Sequence, residues 1–194
     1  QKITEESLHI FRQEQNYHKV AMCLSYLAEY YLQLENPHKA QKLIEEALQV
    51  LAQYFPENQL KKTETLMTLA KIYKKLGHYK KAEEIFKQGL PIFEKNYGKD
   101  HLIVSQTMKE LGELYTWQGL TETAEPLLLN ALNILQKDKN PERYQCLEVL
   151  AEMYLQKATQ EKGTHSAEQR KKALHYLKEA SEIVQAHLPK DCPS

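Results

Sequence analysis

Leu111-Gly112, Tyr115, Gly119, Ala124-Glu125-Pro126-Leu127-Leu128, Ala131-Leu132 and Ile134-Leu135 decide the fold of this 194-residue chain. Apolar and small residues recur there at three- and four-residue steps, first over one segment and then over a second. That is the periodicity of two amphipathic helices. Gln118-Gly119 breaks the pattern between them. Gly112, Ala124 and Ala131 are small enough to let two helices approach closely, so the unit reads as a helical hairpin.

The same hairpin recurs along the chain. Leu27-Ala28, Tyr31, Ala40 and Ala47 repeat the pattern, and so do Leu69-Ala70, Tyr73, Ala82 and Gly89. A fourth copy is Leu150-Ala151, Tyr154, Ala173 and Ala180. The first Leu falls at 27, 69, 111 and 150, giving steps of 42, 42 and 39 residues. Self-similarity on that scale predicts stacked helix pairs.

This signature resembles the tetratricopeptide repeat, and the 42-residue step is similar to the subclass found in kinesin light chains. Ala124-Glu125-Pro126-Leu127-Leu128 and Tyr97-Gly98-Lys99-Asp100-His101 carry the narrower likeness. The resemblance implies an all-α fold, a right-handed α-solenoid of antiparallel helix hairpins.

Composition agrees with a helical, water-soluble chain of intracellular, cytoplasmic type: 42% hydrophobic and 27% charged residues, with only six Gly. No apolar run reaches the ~20 residues that a bilayer crossing needs. The 26 basic and 26 acidic side chains cancel, so nothing favours nucleic acid or an anionic membrane as partner. Cys23, Cys146 and Cys192 are far apart and odd in number. The first two fall in helices where a thiol serves as a small core residue, which suits a reducing compartment.

The pattern divides the chain into residues 1–13, a second helix of a truncated repeat, and four hairpins at 17–55, 59–97, 101–137 and 141–188, followed by a tail at 189–194. The first of these follows from Ser7-Leu8-His9-Ile10-Phe11, which aligns with Ala47-Leu48-Gln49-Val50-Leu51. It makes the chain a fragment of a longer one, and self-association through the incomplete repeat is one use of the bare helix. Asn36-Pro37 and Asn140-Pro141 read as caps followed by Pro in the first turn. Asp100 reads as a further cap. Pro91 predicts a kink in its helix. The last hairpin carries ten extra residues near 157–168, where Gly163 breaks the pattern and Ser166 with Gln169 forms a capping box. The insertion is either a longer first helix with a loop or a protruding tip. Ser181 stands where earlier repeats have Leu48, Leu90 and Leu132, and a polar outer face there suits a terminal helix.

No catalytic or metal constellation emerges. The eight His are scattered, and there is no Gly-rich phosphate loop and no nucleophile elbow. No enzyme activity and no cofactor are expected. The repeating Tyr are packing residues.

The family resemblance implies a protein–protein interaction module, an adaptor or scaffold holding a peptide in a concave groove lined by first helices. On that face the chain presents Glu29 and Gln33, then Met67, Lys71, Lys74 and Lys75, then Lys109, Glu113 and Trp117, and finally Glu152. Lys71, Lys74, Lys75 and Lys109 form a basic patch suited to an acidic segment or a chain-end carboxylate. Trp117, the single tryptophan, is a contact residue in this reading. The paired Lys and Asn of carboxylate-clamping members are missing: Ser25 and Glu29, Met67 and Lys71, Lys109 and Glu113 stand there. The Asn pair that precedes the signature in kinesin light chains is missing too. The alternative is a sensor or autoinhibitory segment of a larger signalling ATPase or enzyme, since similar repeats also sit behind nucleotide-binding switch domains.

Overall fold

The computed structural model describes residues 2–137 and 140–187. The expected tail at 189–194, with Cys192, and Leu188 lie outside them. Among the described residues all regular structure is α-helical: α1 (Lys2–Gln13), α2 (Tyr17–Gln33), α3 (Pro37–Tyr54), α4 (Gln59–Lys75), α5 (Tyr79–Tyr97), α6 (Leu102–Trp117), α7 (Thr121–Lys137), α8 (Arg143–Gln160) and α9 (Thr164–His187). The helices pack as consecutive hairpins. The chain divides into two compact units, Gln1–Asn96 and Tyr97–Ser194.

In the first unit α2 packs on α3 and also on α4, and α1 packs on α2. Ala28, Ala40, Ala47, Ala70 and Ala82 are wholly buried, as close helix crossings require. Around them lie Leu24, Ile44 and Leu51, also with no exposed surface. Each such side chain stabilises the fold by roughly 1.5–3 kcal/mol relative to exposure. Asn16, Asn36 and Asn58 cap α2, α3 and α4 by accepting from the backbone N–H of Lys19, Lys39 and Lys61 at 3.3, 3.2 and 3.0 Å. Pro37 follows its cap at the start of α3, where a missing N–H leaves no bond unmade. α5 continues through Pro91 from Tyr79 to Tyr97.

The turns inside the first three hairpins need a left-handed residue at a fixed place. Gly77 and Gly119 supply it with φ of 78° and 74°, and Glu35, at the equivalent position, adopts φ 54° despite its side chain.

In the second unit α6 packs on α7 and α8, α7 on α8, and α8 on α9. Gly112 is essential to the first of these pairs. A Cβ there would lie 2.7 Å from both Cγ and Cδ2 of Leu128. Three local expectations are corrected in this unit. The cap of α6 is His101, whose Nδ1 accepts from the Ile103 N–H at 3.2 Å, whereas Asp100 pairs with Lys137 at 3.0 Å. Asn140 does not cap α8. Its side chain accepts from the Glu142 N–H at 2.8 Å in the preceding turn, and the helix starts at Arg143. Ser166 and Gln169 lie inside α9 rather than at its start. The Ser166 hydroxyl donates to the Ala158 carbonyl at 2.7 Å, and Gln169 donates to Glu161 at 3.2 Å.

Those two bonds tie together a lengthened hairpin tip. α8 continues six residues past Tyr154, where α2, α4 and α6 end two residues past Tyr31, Tyr73 and Tyr115. α9 begins nine residues before Ala173, where α3, α5 and α7 begin three before Ala40, Ala82 and Ala124. The extra residues are therefore helical on both sides of an unchanged short turn. The tip also holds a charge cluster around one buried lysine. Lys157 donates to Glu125 at 2.6 Å and reaches Glu122 at 2.9 Å, and the Tyr154 hydroxyl donates to the same Glu125 at 2.6 Å.

The signature Tyr has a further device that the sequence reading missed. Lys39, Lys81 and Lys172, each one residue before a signature Ala, stand over the rings of Tyr31, Tyr73 and Tyr154 at 4.0, 5.3 and 5.5 Å. Such a cation over a ring contributes ~0.5–1 kcal/mol at an exposed edge. Thr123 occupies the matching place in the third hairpin.

Candidate functional site

A binding face must be built from what the core does not use. Leu27, Leu69, Leu111 and Leu150 are buried, as are Tyr31, Tyr115 and Tyr154. Tyr73, Leu66 and Met108 are half-buried. Cys23 and Cys146 are buried and form no disulfide, and the Cys146 thiol donates to the Leu128 carbonyl at 3.2 Å. Burial pushes the Cys146 thiol up to about 12, which leaves it protonated and inert. Among the described residues no three His, Cys, Asp or Glu side chains are grouped to hold a metal.

In the first unit the faces of α2 and α4 enclose a cleft of about 130 Å³. Ser25, Tyr26 and Glu29 line it from α2, and Glu64, Thr65 and Thr68 from α4. The Thr68 hydroxyl donates to Glu29 at 3.2 Å, and Lys61 pairs with Glu64 at 2.9 Å. With Met22 and Lys61 completing the lining, the cleft holds two carboxylates against one ammonium and is slightly acidic. Tyr26 is 58% exposed at its side, a large aromatic that the sequence reading passed over. Its signal was there: Met22 and Tyr26 stand one helical turn apart, off the stripe that carries Leu24 and Leu27.

The expected contact residues divide. Glu29 and Gln33 are exposed, and Glu29 lines the cleft. Met67 is corrected: it is 7% exposed and packs into the space that Gly89 leaves on α5. Lys74 is corrected as well, since it is only 6% exposed. Lys71 is half-buried. Lys75 is exposed and lines a shallow hollow with Leu32, Glu35 and Pro37.

In the second unit Lys109 is engaged by its neighbours. It donates to Gln145 at 2.8 Å and lies 3.6 Å from Glu110. With Lys74 buried and Lys109 held, the four lysines do not present four open ammonium groups. The face of α6 and α8 is instead acidic. Burial and the nearby Glu113 carboxylate push the Glu152 carboxyl above its ordinary range. Trp117 is 37% exposed at the end of α6, and Leu155 is 46% exposed on α8.

Comparison with known proteins places this architecture. No curated protein matches the chain. Among solved structures, the kinesin light chain nearly identical TPR-like repeats of Podosopora anserina superpose with a TM-score of 0.62 at 21% identity, covering 88% of this chain and 77% of that one. A variant of the same repeats gives a TM-score of 0.65 at 22% identity, with the same coverage. BtubC (BKLC) of P. vanneervenii gives 0.56 at 18% identity over 98% of this chain and 91% of that one. These likenesses concern the fold. The family model of the tetratricopeptide repeat matches residues 19–95 and 62–137, more than half of the sequence. The chain belongs to the tetratricopeptide repeat family.

Proposed function

We propose that this chain is an interaction module that holds a segment of a partner protein on the face of its first helices and performs no chemistry itself. Tetratricopeptide repeats are, as a class, protein–protein interaction modules. The observation that supports this reading is the cleft between α2 and α4, flanked by the exposed ring of Tyr26 while every signature residue of those helices except Tyr73 is buried. An exposed aromatic beside a small polar cleft has the anatomy of a contact centre, with an apolar anchor and hydrogen-bonding rims. The occupant is a segment that sets an apolar side chain on Tyr26 and uses the polar groups of Ser25, Glu29 and Glu64. An acidic segment is disfavoured, because two of the four lysines are already buried or paired.

The test is affinity capture with the chain, followed by titration of the captured segment as a synthetic peptide. Tyr26→Ala is expected to weaken that peptide by about tenfold or more, the scale of a hot-spot truncation. Lys42→Glu, on the exposed side of α3, leaves it unchanged. Full affinity in a Tyr26→Ala, Glu29→Lys double variant would overturn the assignment of the face.

A further inference from the structure

The second unit carries a surface that shares no residue with the α2–α4 cleft. There α6 and α8 lie side by side, joined near their starts by side-chain bonds. Gln106 donates to Glu142 at 3.0 Å and Lys109 to Gln145 at 2.8 Å. One helical turn further, bonding gives way to like charge. Burial, and then the Glu113 carboxylate across on α6, push the Glu152 carboxyl above its ordinary range. Glu148, one turn before Glu152, is exposed. The cation on this face of α6, Lys109, is already held by Gln145 and Glu110. Among the described residues the Glu152 side chain has neither an ion pair nor a hydrogen bond.

The matching places in the first unit, two after each signature Leu, hold Glu29 and Lys71, which are opposite in sign. Glu113 and Glu152 are both carboxylates, and like charges so placed repel. A cation arriving from outside turns that repulsion into attraction. Four and three residues on, on the same helix faces, Trp117 and Leu155 are exposed. The surface is thus a carboxylate pair with an apolar ledge one turn away. It is not a stacking face of the repeat. Cys146, Tyr154 and Lys157 tie α8 to α7 and α9, on the side of the helix opposite Glu148, Glu152 and Leu155.

Resting on the reading that first helices hold a partner segment, we propose that the α6–α8 face takes an arginine of a partner protein, with an apolar residue of the same segment on Trp117 and Leu155. A planar guanidinium has its donors in a fixed fork and meets one carboxylate on each helix at once. A lysine ammonium is a compact, strongly hydrated point charge and bridges such a pair less well. Four helical residues separate Glu113 from Trp117, a rise of about 6 Å. Two residues of an extended segment span about the same distance, so the apolar residue stands two places from the arginine.

The probe is the peptide acetyl-Ala-Leu-Ala-Arg-Ala-Leu-Ala-amide, titrated into the full chain at low salt by calorimetry and by tryptophan emission. Trp117 is the single tryptophan, and its emission is expected to move to the blue and saturate. Citrulline in place of the peptide's Arg keeps the shape, removes the charge, and is expected to weaken binding about tenfold. Glu113→Gln with Glu152→Gln in the chain does the same. A peptide with Glu in that place binds the Glu113→Lys, Glu152→Lys chain but not the parent. Equal binding of the Arg and citrulline peptides overturns the proposal, as does emission that the Arg peptide leaves unmoved. Binding that is lost with Tyr26→Ala but survives Glu113→Gln with Glu152→Gln puts the peptide in the α2–α4 cleft. That result overturns this assignment and leaves the proposed function standing. Trp117 emission shielded from acrylamide in the free, dilute chain means that the chain's own residues cover the face, and shielding that appears only on concentration makes a second copy the occupant. Either overturns the proposal.

Discussion

Replacing Lys157 with methionine keeps an unbranched side chain one atom shorter and removes the charge together with its hydrogen-bond donors. Lys157 is 9% exposed, with its amino group 2.6 Å from Glu125 and 2.9 Å from Glu122. Glu122 is 85% exposed and regains water freely when the ion pair is lost. Glu125 is 26% exposed and keeps the Tyr154 hydrogen bond and the charge of Lys172. A hydrogen bond to a charged group contributes roughly 1.5–3 kcal/mol, and partial exposure of Glu125 places the expected loss near 2 kcal/mol. Repeat arrays need not unfold in one step, so a single melting temperature is the wrong readout. Amide exchange within α8 is local, and ~2 kcal/mol is about a thirtyfold increase in its rate. Glu125→Leu alone should open α8 by a similar factor. The double variant should be far better protected than the two losses combined, because no charge is then left buried. Effects that simply multiply would refute the claim that these groups act together.

The pH dependence has a definite sign. Burial pushes the Glu125 carboxyl up, but hydrogen bonds from Lys157 and Tyr154 outweigh it, and the group stays below its ordinary range. A depressed carboxyl contributes stability that is complete above its unfolded value and is lost as pH falls through the lower folded one. Protection of α8 should thus hold from neutrality to about pH 4.3 and decline below it, and in Lys157→Met, where the pairing that lowers the carboxyl is gone, the acid decline should be smaller or absent.

Gly112→Ala and Gly89→Ala should differ, though both gain ~1 kcal/mol of helix propensity. At residue 112 the new Cβ meets the branch point of buried Leu128 at 2.7 Å, and overpacking of ~1–3 kcal/mol should win. At residue 89 it meets the far end of the unbranched Met67 side chain and, at 3.2 Å, the Thr63 methyl; Met67 can turn aside by rotation, so stability should stay near the parent's. Urea midpoints in the reverse order would contradict this. Glu35→Gly should raise the midpoint, by about 0.5 kcal/mol, because relief of a left-handed backbone slightly exceeds glycine's entropic penalty; an unchanged or lower midpoint would count against it. Lys74→Glu should destabilise the first unit, whereas Lys71→Glu should leave its midpoint close to the parent value. Equal midpoints for the two would mean that Lys74 is not packed as described.

The repeat was legible because its small residues are placed by geometry. Ala28, Ala70, Gly112 and Ala151 are each buried at helix crossings, and a residue that must be small leaves a mark at every copy. The free face carries no such mark. Met67 and Lys71 share one helix, yet the first is taken into the core because Gly89, on a different helix, leaves room for it. Lys109 was read as open, and only the approach of α8 reveals the Gln145 that holds it. Tyr26 was passed over because its position in the repeat has no fixed residue type. Caps failed where two polar residues compete: His101 and Asp100 are neighbours, and the backbone angle at 101 settles which one accepts.

The lengthened tip of α8 and α9 has a practical use. Its turn at Gly163 has φ 67°, and a Cβ there would have no atom within 4 Å. Ten extra helical residues hold that turn about 6–9 Å beyond the level at which the other first-helix turns sit, at 1.5 Å of rise per residue. A fluorophore or a cross-linker attached there would meet no neighbouring atom, so it could be placed without disturbing the packing of α8 on α9.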